Sequence, residues 1–208
     1  MTIEALYLSG GGDEVQTAAF DALYTQELEA RGIKNIVYIP VALKPDRFSK
    51  AEEWFQSVFS GKVEGIKTLT ELNNVGPLDP KEQSIYIGGG DTVRLLKGIK
   101  DSGFDKTLIW FIRNGGIVYG GSAGAIILGA DIRTAPETNN ITLPSYEGLN
   151  LLNGMSVACH YDGSEDEHAR LKKLRNLLDI PIIALPENAG VIIRSEKTEI
   201  VGENVIFI

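Results

Sequence analysis

Short apolar segments of strand-forming residues alternate with segments of helical spacing along most of the 208-residue chain. A strand predicted over residues 3–9 precedes a helix over 15–31, and the same order returns with a strand over 84–87 and a helix over 93–99. Strands separated by helices usually pair in parallel, because each crossover returns the chain to the same end of the sheet. The pattern therefore predicts an α/β fold with a mostly parallel sheet flanked by helices on both faces, whose ligands bind at the carboxyl ends of the strands.

Length and composition suit one globular domain, which we expect to span residues 1–208. The formal net charge of −8 argues against a nucleic-acid partner, because binding to a phosphate backbone draws on clustered Lys and Arg. No apolar stretch approaches the ~18 residues that a membrane span needs, and no signal-like segment begins the chain. We therefore expect a cytoplasmic protein without a membrane partner.

Cysteine and histidine are scarce in this chain. The single cysteine, Cys159, excludes an internal disulfide and any cysteine-based metal cluster. The two histidines, His160 and His168, leave little material for a zinc site. We therefore expect neither a metal nor another cofactor.

A serine between glycines lies where an apolar strand meets an apolar helix, in the sequence IVYGGSAGAIIL of residues 117–128. This stretch fits the pattern G-x-S-x-G of a nucleophile elbow, in which a tight turn exposes the serine hydroxyl and its neighbours must lack bulk. The alternative is a glycine-rich turn whose serine merely caps the helix. Ser122 is the candidate nucleophile.

A serine nucleophile needs a base, and only two histidines could supply one. His160 follows a strand predicted over residues 155–159, so we expect it at the same edge of the sheet as Ser122. His168 lies in the first turn of a helix that opens with the capping-box sequence SEDE, where an exposed imidazole is the ordinary explanation. We favour His160 over His168, and a structural role for His160 stays open.

The third member of a triad is a carboxylate that orients the imidazole. Glu187 directly follows a strand predicted over residues 181–185. Together with two further strands, over 190–195 and 205–208, this strand is expected to close the sheet. A solvated turn is an equally good explanation of Glu187. Asp162 and Asp131 are weaker alternatives.

An oxyanion hole needs two hydrogen-bond donors, and the N–H of Ala123 would supply one in an elbow of this kind. The triplet Gly88-Gly89-Gly90 follows a buried strand and could supply the other through its unobstructed backbone N–H groups. Phosphate binding is the rival explanation of this triplet and of Gly10-Gly11-Gly12. Neither completes G-x-G-x-x-G or the P-loop pattern, which disfavours nucleotide binding.

The segment GGGDT at residues 88–92, GGSAGA at 120–125, His160-Tyr161 and the turn around Glu187 together resemble the peptidase E family of aspartyl dipeptidases, which includes cyanophycinase-like relatives. The resemblance covers most of the chain in motif order. It implies a fold similar to class I glutamine amidotransferases, a Ser-His-Glu triad, and cleavage of dipeptides or short peptides that begin with aspartate. It assigns Ser122 as nucleophile, His160 as general base and acid, Glu187 as the orienting carboxylate, and the Gly90 and Ala123 N–H groups as the oxyanion hole.

One residue departs from the family pattern, because the glycine motif commonly continues with asparagine and this chain has Asp91. A carboxylate there could receive a substrate α-ammonium or repel an aspartyl side chain. An acidic substrate would favour a guanidinium ligand, for which Arg133 and Arg170 are the candidates. A short peptide is the expected partner and a homodimer one assembly to consider. The alternatives to an aspartyl dipeptidase are a silent binding module of the same fold and an amide or ester hydrolase with another substrate.

Overall fold

The computed structural model describes residues 3–140 and 142–208. The strands in this part of the chain are β1 (Ala5–Ser9), β2 (Asn35–Ile39), β3 (Gly65–Thr68), β4 (Gln83–Ile87), β5 (Ile117–Gly121), β6 (Ser156–Cys159), β7 (Ile182–Leu185), β8 (Gly190–Ile193), β9 (Thr198–Val201) and β10 (Ile206–Phe207). The helices are α1 (Ala18–Ala30), α2 (Phe48–Phe59), α3 (Thr92–Asp101), α4 (Phe104–Arg113), α5 (Ala123–Leu128) and α6 (Glu165–Leu178), with 3-10 turns at Pro45–Arg47 and Pro136–Asn140.

Seven strands form the central sheet in the order β3-β2-β4-β5-β1-β8-β9. The first five run parallel to one another, whereas β8 pairs antiparallel with both β1 and β9. Side chains alternate between the two faces of each strand, so that Ala5 and Tyr7 point to one core and Leu6 and Leu8 to the other. The predicted α/β fold with a mostly parallel, doubly covered sheet is confirmed.

Helices cover the two faces with different side chains. On one face, α1 and α2 bury an aromatic core that includes Tyr24, Phe55, Tyr86 and Tyr119. On the other face, α3, α4 and α5 bury a mainly aliphatic core. The helix α5 is nearly all apolar and is buried at every residue, as expected for a segment packed between two sheets.

A second sheet contains three strands in the order β10-β7-β6. It packs Val157 and Ile183 onto the aliphatic core, while Ala158 and Ala184 face Leu171 of α6. Of the three strands predicted to close the central sheet, over residues 181–185, 190–195 and 205–208, β8 does so by pairing with β1. The prediction is wrong for β7 and β10, which lie in the second sheet. Apolar segments of this length predict strands but carry no information about which strands pair.

Two local boundaries also differ from the sequence prediction. The first helix begins at Ala18 and not at residue 15, because the Asp13 carboxylate accepts the N–H groups of Val15 and Gln16 and holds them in a turn. The strand β9 was missed, since its alternation of exposed and half-buried residues is typical of an edge strand and its sequence, TEIV, is weakly apolar.

Candidate active site

Ser122 lies between the end of β5 and the start of α5, where the chain turns sharply. Its φ of 49° and ψ of −112° fall in a region that non-glycine residues rarely occupy, and its N–H donates to the Ser9 carbonyl at 3.1 Å. The turn brings α5 against β4 so closely that a Cβ added to Gly124 would lie 2.3 Å from the Ile87 carbonyl oxygen. The glycine is therefore required for the helix to leave the strand at this angle.

The side chains of Ser122, His160 and Glu187 form a continuous hydrogen-bonded row. Ser122 Oγ lies 2.8 Å from His160 Nε2, and His160 Nδ1 lies 2.9 Å from Glu187 Oε1. His160 follows β6 with a positive φ of 56°, and its N–H donates to the Gly10 carbonyl. His160 follows a strand of the second sheet, and its bond to the segment after β1 holds it next to Ser122, at the carboxyl end of β5 in the central sheet.

Gln16 extends this row by one residue. Its Nε2 donates to Glu187 Oε2 at 3.0 Å, and its Oε1 accepts the Asp13 N–H at 2.9 Å. The hydrogen bond from His160, and after it the one from Gln16, hold the pKa of Glu187 below its ordinary value. No sequence motif includes Gln16, which precedes Glu187 by 171 residues, so its place in this row is visible only in the structure.

The glycine segment after β1 supports the same residues. A Cβ added to Gly11, which has a φ of 93°, would lie 2.5 Å from Ser122 Cβ and 2.9 Å from His160 Cε1. The neighbouring Gly12 N–H donates to the Glu187 carbonyl at 3.2 Å. These glycines let three segments meet without obstruction. Close packing therefore explains the glycine triplet, and phosphate binding is not needed to explain it.

Backbone donors lie beside Ser122. A Cβ added to Gly89 would be 3.1 Å from Ser122 Cβ, whereas one added to Gly90 would meet Ala42. Among the described residues, no hydrogen bond occupies the N–H groups of Gly89, Gly90 or Ala123. Gly89 is thus the member of the triplet at which a side chain would crowd the serine, and the Gly90 N–H follows it by one residue.

A cleft of about 550 Å³ opens in front of Ser122. Its volume is ordinary for a site that binds a small organic molecule. The lining residues come from the elbow, the two glycine segments, the strands β2 and β4, and the first half of α2 with the turn before it: Ser9, Gly11, Gly12, Thr17, Tyr38, Leu43, Asp46, Arg47, Lys50, Ala51, Trp54, Tyr86, Gly88, Gly89, Gly121 and Ser122. The sequence of α2 has the pattern of an ordinary amphipathic helix and gives no sign that the helix lines a cleft.

A buried carboxyl group lies below the cleft. Asp21 is 2% exposed and accepts hydrogen bonds from Tyr119 Oη at 2.7 Å and Thr17 Oγ1 at 2.8 Å. Burial raises the pKa of Asp21 above its ordinary value despite those two donors. Thr17 joins this group to the cleft, because it also lines the cleft.

The other candidates for base and acid lie in separate hydrogen bonds. His168 Nδ1 is 3.3 Å from Tyr161 Oη, and Asp162 is exposed and accepts the Ser164 N–H at 2.8 Å. Asp131 is 4% exposed and pairs with Arg133. None of these three alternatives replaces His160 or Glu187 in the row that ends at Ser122.

Neither candidate guanidinium lines the cleft. Arg133 binds both carboxylate oxygens of Asp131, with Nη2 2.6 Å from Oδ2, and Arg170 donates to both oxygens of Glu167 at 2.8 Å. Asp91 caps α3 by accepting the Arg94 N–H at 2.8 Å. Each side chain therefore has a structural role near its own position, and its assignment to substrate binding stays a prediction.

The cysteine beside the catalytic candidates is buried. Cys159 packs into the aliphatic core, and burial raises the pKa of its thiol far above the ordinary value. Within residues 3–140 and 142–208 there is no group of three or more His, Cys, Asp or Glu side chains that could hold a metal ion. In the same part of the chain, no helix has the length and apolar character needed to cross a bilayer.

Two named relatives resemble the chain in sequence. Peptidase E of Haemophilus influenzae (strain PittGG) is 27% identical over 180 residues, which are 83% of this chain and 77% of the relative. A Drosophila melanogaster protein named "Probable alpha-aspartyl dipeptidase" is 24% identical over 185 residues, or 84% of this chain and 75% of that protein. The similarity thus extends over most of both chains in each pair.

Two solved structures share the fold. A peptidase from an acI-B1 Actinobacterium aligns with a TM-score of 0.72 and 21% identity over 97% of this chain and 88% of its own. A Listeria monocytogenes EGD-e structure aligns with a TM-score of 0.69 and 21% identity over 97% and 100%. The sequence profile of Peptidase family S51 matches residues 5–201, which covers nearly the whole chain. The chain therefore belongs to peptidase family S51 and is a serine-type peptidase.

Proposed function

We propose that this protein is a dipeptidase in which Ser122 is the nucleophile, His160 the general base and acid, and Glu187 the carboxylate that orients the imidazole. The observation that carries the proposal is the row of hydrogen bonds from Ser122 Oγ through both ring nitrogens of His160 to Glu187 Oε1. With Nδ1–H donating to Glu187, Nε2 is free to accept the serine proton. The backbone strain at Ser122 is the kind found at nucleophile elbows.

In the acylation step, Ser122 Oγ attacks the carbonyl carbon of the peptide bond while its proton passes to His160 Nε2. The carbonyl electron pair moves to the oxygen, which the N–H groups of Ala123 and Gly90 stabilise as the oxyanion hole, with the adjacent Gly89 N–H as a further donor. The tetrahedral intermediate then expels the amine, which takes the proton from His160, and the C–N bond breaks. A water molecule then attacks the acyl-enzyme while His160 takes its proton. The ester bond to Ser122 breaks, His160 returns the proton to Ser122 Oγ, and the amino-terminal product is released.

We further propose that the substrate is a dipeptide or short peptide with an amino-terminal aspartate. This proposal is supported by the name of the Drosophila relative and by the peptidase E names of several others. The charge of the cleft is also compatible with an acidic substrate, since it is lined by two cationic side chains, Arg47 and Lys50, and one acid, Asp46. Asp91 and the two arginines Arg133 and Arg170 remain candidates for substrate contact outside that cleft.

A panel of X-Leu dipeptides together with simple esters tests the proposal. Asp-Leu should be cleaved with the highest kcat/KM, and Ser122→Ala should lower kcat by roughly four to six orders of magnitude, because a triad acts as a unit. Ser57→Ala on the exposed side of α2 is the matched control and should behave like the parent.

Three other results of the panel would contradict the assignment or favour another function. Cleavage of Asp-Leu by Ser122→Ala at the parent rate would refute the assignment of the nucleophile. Turnover of esters or non-aspartyl amides in preference to Asp-Leu would favour a hydrolase with another substrate. A parent protein that turns over nothing on the panel would favour a silent binding module.

The remaining expectations stay proposals. A single catalytic domain over residues 1–208 would carry the activity. The sequence also predicts a cytoplasmic location, a possible homodimer, and the absence of cofactors and of a nucleic-acid partner.

A further inference from the structure

Two cations line the cleft in front of Ser122 although the chain as a whole is acidic. Arg47 and Lys50 are exposed lining residues, and Asp46 is the single acid among the described side chains that line it. The cleft thus has one excess positive charge in a protein of formal net charge −8. No ion pair or side-chain hydrogen bond joins Arg47 or Lys50 to an acid in residues 3–140 and 142–208, whereas Arg133 and Arg170 are both paired.

The position of these cations is unfavourable for the folded protein alone. Arg47 is the N-cap residue of α2 and Lys50 lies in its first turn, which contains no acidic residue. The N-terminal end of a helix carries partial positive charge, so cations there are destabilising and anions are stabilising. An anionic ligand in the cleft would complement both side chains and the helix terminus.

The same cleft also has apolar lining suited to the rest of a small peptide. Trp54, Tyr38 and Leu43 give this part of the cleft apolar surface, and the Trp54 indole is held by a hydrogen bond from Nε1 to Glu14 at 3.2 Å. A mainly apolar cleft with a few convergent polar groups is the usual form of a small-molecule site. Because the cations and Ser122 line one cleft, a bound peptide could place a carboxylate on the cations and its scissile bond at the serine.

We propose that Arg47 and Lys50 form a carboxylate-binding subsite that fixes the substrate while Ser122 attacks its peptide bond. This subsite rests on the proposed dipeptidase function, and it gives a role in specificity to two residues that belong to no sequence motif. A dipeptide such as Asp-Leu offers two carboxylates, the aspartyl side chain and the free α-carboxyl terminus, and both are separated from the scissile carbonyl carbon by three bonds. The shared chemistry is a carboxylate bound by a guanidinium and an ammonium.

The double variant R47Q/K50Q tests the subsite, with K106Q/R113Q as a control that removes two exposed cations from α4 on the opposite face of the sheet. Initial rates are measured with Asp-Leu, with Asn-Leu, which lacks the side-chain carboxylate, and with Asp-Leu amide, which lacks the terminal one. We expect R47Q/K50Q to raise KM for Asp-Leu by about tenfold to a hundredfold with a smaller change in kcat, and the control to match the parent. The peptide whose KM no longer responds to R47Q/K50Q identifies the carboxylate that is bound.

Binding measurements separate this inference from the proposed function. Calorimetric titration of the three peptides into Ser122→Ala, with and without R47Q/K50Q, reports the subsite without turnover. Weaker binding of Asp-Leu to the triple variant than to Ser122→Ala supports the subsite. If the parent cleaves no peptide but this difference in binding is seen, only the proposed function is contradicted. Cleavage of Asp-Leu with a KM unchanged by R47Q/K50Q, or an equal loss with all three peptides, overturns the subsite, and absence of both binding and cleavage overturns both.

Discussion

Replacing Gln16 with leucine removes the amide that donates to Glu187 Oε2 at 3.0 Å and leaves the hydrogen bond from His160 in place. The Gln16 side chain bonds to Glu187 and Asp13 and not to Ser122, so it is a positioning residue. Its effect on the reaction passes through the orientation and charge of the Glu187 carboxylate.

The size of the effect follows from the environment of Glu187. A hydrogen bond to a charged acceptor contributes about 1.5–3 kcal/mol when shielded from water. The Glu187 side chain is 46% exposed, so we discount the contribution to about 0.5–1.5 kcal/mol. Since about 1.4 kcal/mol of barrier is a factor of ten, Gln16→Leu should lower kcat/KM by about 2- to 12-fold.

The assay combines Asp-Leu kinetics with titration of the carboxyl group. The loss should appear in kcat with KM little changed, and the pKa of Glu187 should rise toward its ordinary value, because the Gln16 hydrogen bond is one of the two that lower it. Carbon NMR of labelled carboxyl groups measures that pKa. Gln16→Glu should lower kcat further, because a second carboxylate beside Glu187 disfavours its ionised form.

Gln26→Leu on the exposed side of α1 is the matched control and should retain the parent kinetics. A folded Gln16→Leu protein with parental kcat/KM and an unchanged Glu187 pKa would refute the role given to Gln16. An unchanged pKa with a lowered melting temperature would reduce Gln16 to a structural residue.

Two further predictions concern stability. Tyr119→Phe removes a donor to buried Asp21 and should lower the free energy of unfolding by about 1–3 kcal/mol. Because burial raises the folded-state pKa of Asp21, its contribution to stability is fully present below the unfolded pKa and declines as pH rises through the folded one. The hydrogen bond from Tyr119 lowers that pKa, so Tyr119→Phe should raise it further. Denaturant unfolding should therefore show a larger loss of stability at pH 7 than at pH 4, and equal losses would contradict this reasoning. Gly124→Ala places a Cβ 2.3 Å from the Ile87 carbonyl oxygen and should destabilise the fold by about 1–3 kcal/mol or more, whereas an unchanged melting temperature would show that the elbow can relax.

The parts of the site that sequence predicts well are those with local causes. Ser122 was identified because a tight strand-to-helix turn demands small neighbours, which the glycines of residues 120–124 supply. His160 was favoured because few bases were available and because it follows an apolar strand. Glu187 followed from the same strand-end argument, and the structure brings its carboxylate to His160.

Contacts between distant segments were not predicted. Gln16 and the cations of α2 reach the site only through the packing of α1 and α2 on the sheet, and no local pattern reports that packing. A local signal argues against Arg170 as a substrate ligand, because Glu167 lies three residues before it on the same helix, a spacing that favours an internal ion pair. The pairing of Arg133 with Asp131, two residues before it and outside any helix, has no such signal and is visible only in the structure.

Covalent labelling of the nucleophile tests the central claim most directly. We predict that a fluorophosphonate adds one phosphonyl group to the parent protein, that peptide mapping places it on Ser122, and that His160→Ala reacts far more slowly, because the alkoxide forms only as the imidazole takes its proton. Failure of the folded parent to react, or a label on any other residue, would contradict the assignment of Ser122 as the nucleophile of this peptidase.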